Sequence, residues 1–179
     1  MAANRQEVVW HGVTVGLIGY ASIALSVSLG DLMQGRSFFY TVALLGEWFF
    51  YGLQDPAKVR VWPGAVFAYN GLHLVTFLGF GLLASWLANA SERGPLFWYA
   101  ALVLYVFVLA HMFGAVLLMT EPLRAAIPRL QIFVPSLLAA GLMSVYLLRV
   151  HPQLRREMSE WSDPDDEVAG ASRDVRRPT

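Results

Sequence analysis

The sequence contains no cysteine. This absence excludes disulfide bonds, thiolate nucleophiles, iron–sulfur clusters and cysteine-ligated zinc. Charged residues are also scarce, at 15% of the chain against about 25% in a typical soluble domain. The 13 basic and 13 acidic residues balance, so we expect no nucleic-acid partner, since nucleic-acid binding requires a basic surface.

Sequence motifs of the common enzyme classes are missing as well. We find no Walker motif, nucleophile elbow, HExxH sequence or dinucleotide-binding fingerprint. We therefore predict no catalytic residues, and the sequence favours a protein without enzymatic activity.

Long apolar segments dominate what is present, since 56% of the residues are hydrophobic. A membrane-spanning helix needs about 20 mostly apolar residues. Four segments reach this length, at residues 8–30, 64–90, 96–119 and 130–150. The first is longer than the 7–15-residue core of a signal peptide, so we interpret it as a retained span. The sequence thus predicts an all-α integral membrane protein with a four-helix transmembrane bundle at residues 8–150.

A fifth apolar segment, residues 37–53, is short for a span and contains Glu47. An ionisable group at mid-membrane costs about 2.5–3.5 kcal/mol on insertion scales. The segment is rich in aromatic residues, which are common at membrane interfaces. We predict an interfacial or re-entrant helix between the first and second spans.

The two ends of the chain are polar. Residues 1–7 form a short N-terminal flank, and residues 151–179 form a charged tail that we expect to be disordered. Basic residues divide equally between the two sides, so the positive-inside rule does not choose an orientation. The short N-terminus and the character of the tail favour cytoplasmic termini. We expect a multi-pass protein of a bacterial inner or plasma membrane.

Small residues form a stripe along the first span. They follow one another at spacings of 4, 3, 3, 4 and 4 residues, which places them on one helical face: Gly12, Gly16, Gly19, Ser22, Ser26 and Gly30. Such a face lets a second helix backbone approach closely within a bilayer. We predict that the stripe is a helix-packing surface.

Two histidines are expected at the same membrane depth. His73 lies nine residues after Gly64, which is about 13–14 Å into the membrane. His111 lies nine residues before Thr120, at the end of the third span. The short turn at 90–95 makes the second and third spans antiparallel neighbours, so the two histidines face a common layer.

Asn70 and Thr76 lie three residues before and after His73, on much the same helical face. We predict an intramembrane polar layer of Asn70, His73, Thr76 and His111, in which hydrogen bonds join the helices. Such bonds contribute about 0.6–2 kcal/mol each.

Histidines on facing helices also predict an alternative. The pair His73 and His111 resembles the arrangement in membrane b-type cytochromes, where such histidines bind haem. That resemblance implies a haem b with these two residues as axial ligands. The two same-helix histidines of a di-haem cytochrome b are missing from the sequence. We therefore predict no cofactor and no metal site in the main interpretation, and haem b in the alternative.

Acidic and basic residues gather at one predicted surface: Asp31, Glu47, Asp55 and Glu121 with Arg36, Lys58, Arg60 and Arg124. We expect a solvated ion-pair network there. The alternative is a charged entrance for a polar ligand.

These features favour a small non-enzymatic accessory or structural subunit of a membrane complex, or a homo-oligomer. Its expected partners are the lipid bilayer and a membrane protein, which could be a second copy of the chain. The alternatives are a haem-b-binding redox subunit and a small transporter or channel module whose path is lined by Asn70, His73 and His111.

Overall fold

The computed structural model describes residues 5–91 and 119–152, together with helical positions at Val106, Ala110, Gly114 and Leu117. Five helices lie in these ranges: α1 (Arg5–Met33), α2 (Tyr40–Tyr51), α3 (Pro63–Ser91), α4 (Glu121–Ala126) and α5 (Arg129–Val150). A single 3-10 turn at Pro56–Lys58 precedes α3. The prediction of an all-helical protein is confirmed over these residues.

Three helices, α1, α3 and α5, are long and apolar enough to cross a membrane. They correspond to the first, second and fourth predicted spans, with ends within three residues of the predicted ones. Most of the third predicted span, 96–119, lies outside the described residues, as do 1–4 and the tail from 153 onward.

Close packing of α1 against α3 depends on glycine. A Cβ atom on Gly81 of α3 would collide with the backbone of Gly12 and Gly16 in α1. A Cβ on Gly16 would lie 2.7 Å from the carbonyl oxygen of Phe77. The two backbones therefore touch at a point where no side chain fits.

The C-terminal half of α1 packs against α5. A Cβ on Gly19 would lie 2.6 Å from the sulfur of Met143, and one on Gly30 would lie 3.3 Å from the side chain of Gln131. Around this contact lies one core cluster, composed of Val15, Ile23, Phe77, Ala84, Ala88, Ala139, Met143 and Leu147. Dispersion forces between such closely packed atoms stabilise the contact between the helices.

The α2 helix has 12 residues and a length of about 18 Å. Its residues from Thr41 to Glu47 are all buried. Gly46 lets α2 lie directly on α3, because a Cβ there would collide with the carbonyl group of Ala65. A second core cluster joins Leu44 and Leu45 of α2 to Met119, Leu123 and Ile127.

Candidate functional site

A pocket of about 360 Å³ lies between α1, α2, α3 and α5. Ala110 and Gly114 also line it. Most of the lining is apolar, with Ile23, Ala24 and Val27 from α1, Val42, Leu45, Trp48 and Phe49 from α2, Tyr69, Leu72 and Phe80 from α3, and Met119, Ile127, Ile132 and Pro135 beyond. The polar lining residues are Thr41, Asn70, His73, Thr76, Gln131 and Ser136. This size and composition are typical of small-molecule sites.

Asp31 holds the first turn of α2, which forms one wall of the pocket. The N-cap residue of α2, Phe39, makes no side-chain capping bond. The Thr41 backbone N–H and hydroxyl instead donate to the Asp31 carboxylate, at 2.8 Å and 2.7 Å. A carboxylate at this position satisfies a free helical N–H and interacts favourably with the helix dipole. A residue at the end of α1 thus caps α2.

Gln131 of α5 completes this cluster. Its Nε2 donates to Asp31 Oδ1 at 2.8 Å, to the Val27 carbonyl at 3.1 Å and to the Thr41 hydroxyl at 3.2 Å. Its Oε1 accepts a bond from Gln34 Nε2 at 2.9 Å. Asp31 is fully buried, so its oxygens depend on these neutral donors. Three helices meet at one carboxylate.

Glu47 holds the other end of α2. Its Oε1 accepts a bond from the Trp62 indole N–H at 2.8 Å, and its Oε2 accepts one from the Arg60 backbone N–H at 3.2 Å. The helix then ends at Gly52, whose φ of +72° is a left-handed conformation that favours glycine. Glu47 therefore fastens α2 to the segment that leads into α3.

The expected solvated ion-pair network is wrong for Asp31 and Glu47. Both carboxylates are buried and accept hydrogen bonds from uncharged groups. Among the residues that the structure describes, one ion pair joins Lys58 to Asp55 at 3.8 Å, and both side chains are exposed. Neutral donors lie within 3.2 Å of both carboxylates, and no basic side chain among the described residues forms an ion pair with either of them.

Three members of the predicted polar layer line the pocket from α3. The Asn70 Oδ1 accepts a hydrogen bond from the Tyr20 hydroxyl at 3.1 Å, which joins α3 to α1. The His73 ring lies between two aromatic rings, 5.2 Å from Tyr69 and 5.3 Å from Phe77. The Thr76 hydroxyl donates to its own helix, to the Leu72 carbonyl at 2.9 Å.

The fourth member, His111, lies outside the described residues. The predicted pairing of His73 with His111, on which the haem alternative depends, therefore stays a prediction. Gly114, three residues beyond His111, contributes to the same pocket as His73.

The small-residue stripe divides between two neighbours. Gly12 and Gly16 face α3, while Gly19 contacts Phe77 of α3 and Met143 of α5. The Ser22 hydroxyl bonds back to the Ile18 carbonyl at 2.6 Å. Ser26 is half-buried, and Gly30 lies against Gln131 as described above.

His11 and His151 lie together at the opposite end of the bundle from Asp31. The His11 Nδ1 is 3.0 Å from the Tyr146 hydroxyl, and the two imidazole rings are 6.2 Å apart. The Ser85 hydroxyl donates to the Val8 carbonyl near this end, at 2.8 Å. Within the described part of the chain, no three potential metal ligands lie close enough together to hold an ion.

Sequence reasoning missed the partnership of Asp31, Thr41 and Gln131. A signal was available: Gln131 is a lone amide near the start of an apolar helix, and Asp31 ends another. Neither residue reveals its partner, because about 100 residues separate them along the chain.

Comparisons with protein-family models, with curated proteins and with solved structures found no match for this chain. The pocket offers uncharged hydrogen-bonding groups within an apolar and aromatic lining.

Proposed function

We propose that the chain is a multi-pass membrane protein that acts as a non-enzymatic accessory or structural subunit of a membrane complex, or as a homo-oligomer. One observation carries this proposal: several polar side chains inside the bundle form hydrogen bonds from one helix to another. Asp31 and Gln131 join α1, α2 and α5, and Tyr20 with Asn70 joins α1 to α3. Polar groups used in this way specify helix contacts in a bilayer.

The outer surface supports a membrane location. Large apolar side chains are exposed on all three long helices, among them Leu25, Phe67, Val75, Trp86, Leu137 and Val145. Asp31 and Glu47 are buried at the same time. An apolar exterior around polar internal contacts suits lipid better than water.

The helix directions support a four-helix transmembrane bundle. Ser85 of α3 bonds to Val8 near the start of α1, so α3 runs antiparallel to α1. Gln131 near the start of α5 bonds to Asp31 near the end of α1, so α5 is antiparallel to α1 as well. Parallel α3 and α5 require the chain to return to the opposite surface between them. We assign this return to the predicted span at 96–119.

The short α2 helix fits an interfacial or re-entrant position. Its length of about 18 Å is well below the roughly 30 Å of a bilayer core. Phe49, Phe50 and Tyr51 are exposed at its last turn. Aromatic side chains favour the headgroup region, where their rings meet both lipid and water.

The assembly state tests the proposed function. Two copies with different affinity tags are coexpressed, extracted in a mild detergent and purified on one tag. We expect a particle heavier than one 19.9 kDa chain, containing either the second tagged copy or a defined membrane-protein partner. Mixing the two tagged proteins after extraction controls for exchange in detergent. A particle of one chain alone, in both detergent and nanodiscs, would overturn the proposal.

The position of His73 favours one second candidate, a haem-b-binding redox subunit. His73 lines the pocket, where Ala110 and Gly114 add no bulky side chain. A neutral imidazole at this point is a suitable axial ligand for haem iron. The absorbance spectrum of the purified protein decides: a Soret band that is lost in His73→Ala supports haem, and a spectrum without that band rejects it.

A further inference from the structure

The pocket between α1, α2, α3 and α5 is large enough to hold a small molecule. Protein interiors rarely contain voids larger than a water molecule, whose share of liquid volume is about 30 Å³. The pocket volume is about 360 Å³, more than twice the roughly 150 Å³ of an apolar cavity that holds benzene. It therefore has room for a ring compound with substituents.

The lining of the pocket disfavours a charged ligand. No Asp, Glu, Lys or Arg is found among the described residues that line the pocket. Asp31 lies behind Thr41 and Gln131, and both of these residues already bond to it. A charged ligand would therefore be desolvated without a counter-ion, which is costly. The occupant should be neutral.

Aromatic side chains favour a planar ring. Trp48 and Phe49 line the pocket from α2, and Tyr69 and Phe80 line it from α3. Aromatic faces and edges stabilise a ring placed between them in offset or edge-on contact. The α2 and α3 aromatic walls therefore belong to two different helices that line the same pocket.

Asn70 supplies a hydrogen-bond donor within this apolar lining. Its Oδ1 accepts the Tyr20 hydroxyl bond, and the described residues provide no acceptor for its Nδ2 group. An amide N–H beside an apolar pocket suits a carbonyl or hydroxyl oxygen. His73, one turn further along α3, presents its ring to the same space.

From these observations we infer that the pocket between α1, α2, α3 and α5 binds a neutral lipophilic ring compound with a carbonyl or hydroxyl oxygen. This chemical class includes membrane quinones. The oxygen accepts a hydrogen bond from Asn70, and the ring lies between the α2 and α3 aromatic walls. The inference rests on the proposed membrane location and non-enzymatic role. It concerns binding and includes no electron transfer.

The binding test uses decylubiquinone as the probe and the full chain in nanodiscs. Quinones quench nearby indoles, and Trp48 lines the pocket. We expect saturable quenching that is lost in Trp48→Phe and kept in Trp86→Phe, whose side chain is exposed on α3. Quenching that does not saturate, or that survives in Trp48→Phe, would reject binding in this pocket.

Two matched pairs of variants locate the ligand. Ala24 lines the pocket and Ala21 is exposed on the same helix, so Ala24→Leu should weaken binding at least tenfold and Ala21→Leu should not. Asn70→Leu should weaken binding at least fivefold. Tyr20→Phe removes the same interhelical bond but keeps the Asn70 amide, so it should retain binding. Equal effects within either pair would overturn the inference, provided that thermal melting shows all four variants to be folded.

Competition identifies the chemistry of the ligand. Decylbenzene has a ring and a chain but no oxygen, so it should compete at least tenfold less well than decylubiquinone. Equal competition, or displacement of the probe by phospholipid acyl chains alone, would overturn the assignment. The particle mass of the same sample reports on the proposed function separately. Loss of probe binding in an intact assembly would therefore reject this inference and leave the proposed function standing.

Discussion

The carboxylate of Asp31 accepts two hydrogen bonds from Thr41, one from the backbone N–H at 2.8 Å and one from the hydroxyl at 2.7 Å. The two residues are ten positions apart and belong to different helices. The contact connects the end of α1 to the beginning of α2. It holds the first turn of α2, and α2 forms one wall of the pocket.

Replacing Asp31 by Asn should destabilise the protein by about 1–3 kcal/mol. The substitution replaces one carboxylate oxygen by an NH2 group, which donates and does not accept, so at least one donor at Thr41 or Gln131 loses its acceptor. The measurement is the free energy of unfolding by SDS titration in mixed micelles. Glu7→Gln is the control on the same helix, because Glu7 is exposed in its first turn, and it should cost less than about 1 kcal/mol. Equal losses would contradict a structural role for the Asp31 bonds.

Gly81→Ala should cost about 1–3 kcal/mol of unfolding free energy, because the added methyl group collides with the α1 backbone at Gly12 and Gly16. Gly79→Ala on the same helix is the matched control. Its Cβ meets nothing within 4 Å, so alanine there should be neutral or stabilising by up to about 1 kcal/mol through helix propensity. Thermal unfolding of both variants in the same detergent gives the comparison. A stable Gly81→Ala protein would mean that α1 and α3 are not in backbone contact.

Trp62→Phe should loosen the second half of α2. The substitution removes the indole N–H from Glu47 and leaves a buried carboxylate oxygen without that donor. A local loss of one to two kcal/mol corresponds to roughly 5–30-fold faster amide hydrogen exchange in this helix. Hydrogen exchange with mass spectrometry measures the rates in peptides from 40–51. Trp86→Phe should leave them unchanged, and equal acceleration in the two variants would exclude the Glu47 bond as the cause.

The proposed four-span topology predicts the labelling pattern of single cysteines. The chain has no cysteine, so each introduced thiol is the one that reacts. We expect Arg5→Cys and Pro152→Cys to react from one side of the membrane and Lys58→Cys from the other. With cytoplasmic termini, an impermeant maleimide labels Lys58→Cys in intact cells and labels the other two after permeabilisation. Arg5→Cys and Pro152→Cys on opposite sides would indicate an odd number of spans.

Periodic features could be predicted from the sequence because they are local. Helix lengths follow from runs of apolar residues, and the stripe that begins at Gly12 follows from spacing along one helix. The glycine of α3 that contacts this stripe is Gly81, and only the folded geometry distinguishes it from Gly71 and Gly79, where an added Cβ would meet nothing within 4 Å.

Contacts between distant segments could not be predicted in this way. Asp31 and Glu47 were expected in a solvated ion-pair network, because their basic neighbours along the chain are visible in the sequence. The structure satisfies Asp31 through Gln131 and Glu47 through Trp62. Gln131 in particular carries no charge and belongs to no motif, so nothing in the sequence indicates that it bonds to a buried carboxylate.

The Asp31 cluster also has a consequence for the order of events during synthesis. Asp31 and Thr41 leave the ribosome close together, so the cap of α2 can form early. Gln131 follows about 90 residues later than Thr41. Until it arrives, the buried carboxylate lacks one of its donors, and α2 has no fastening to α5. Among the long helices that the structure describes, α5 is made after α1 and α3, and it is therefore the helix that completes the contacts of Asp31.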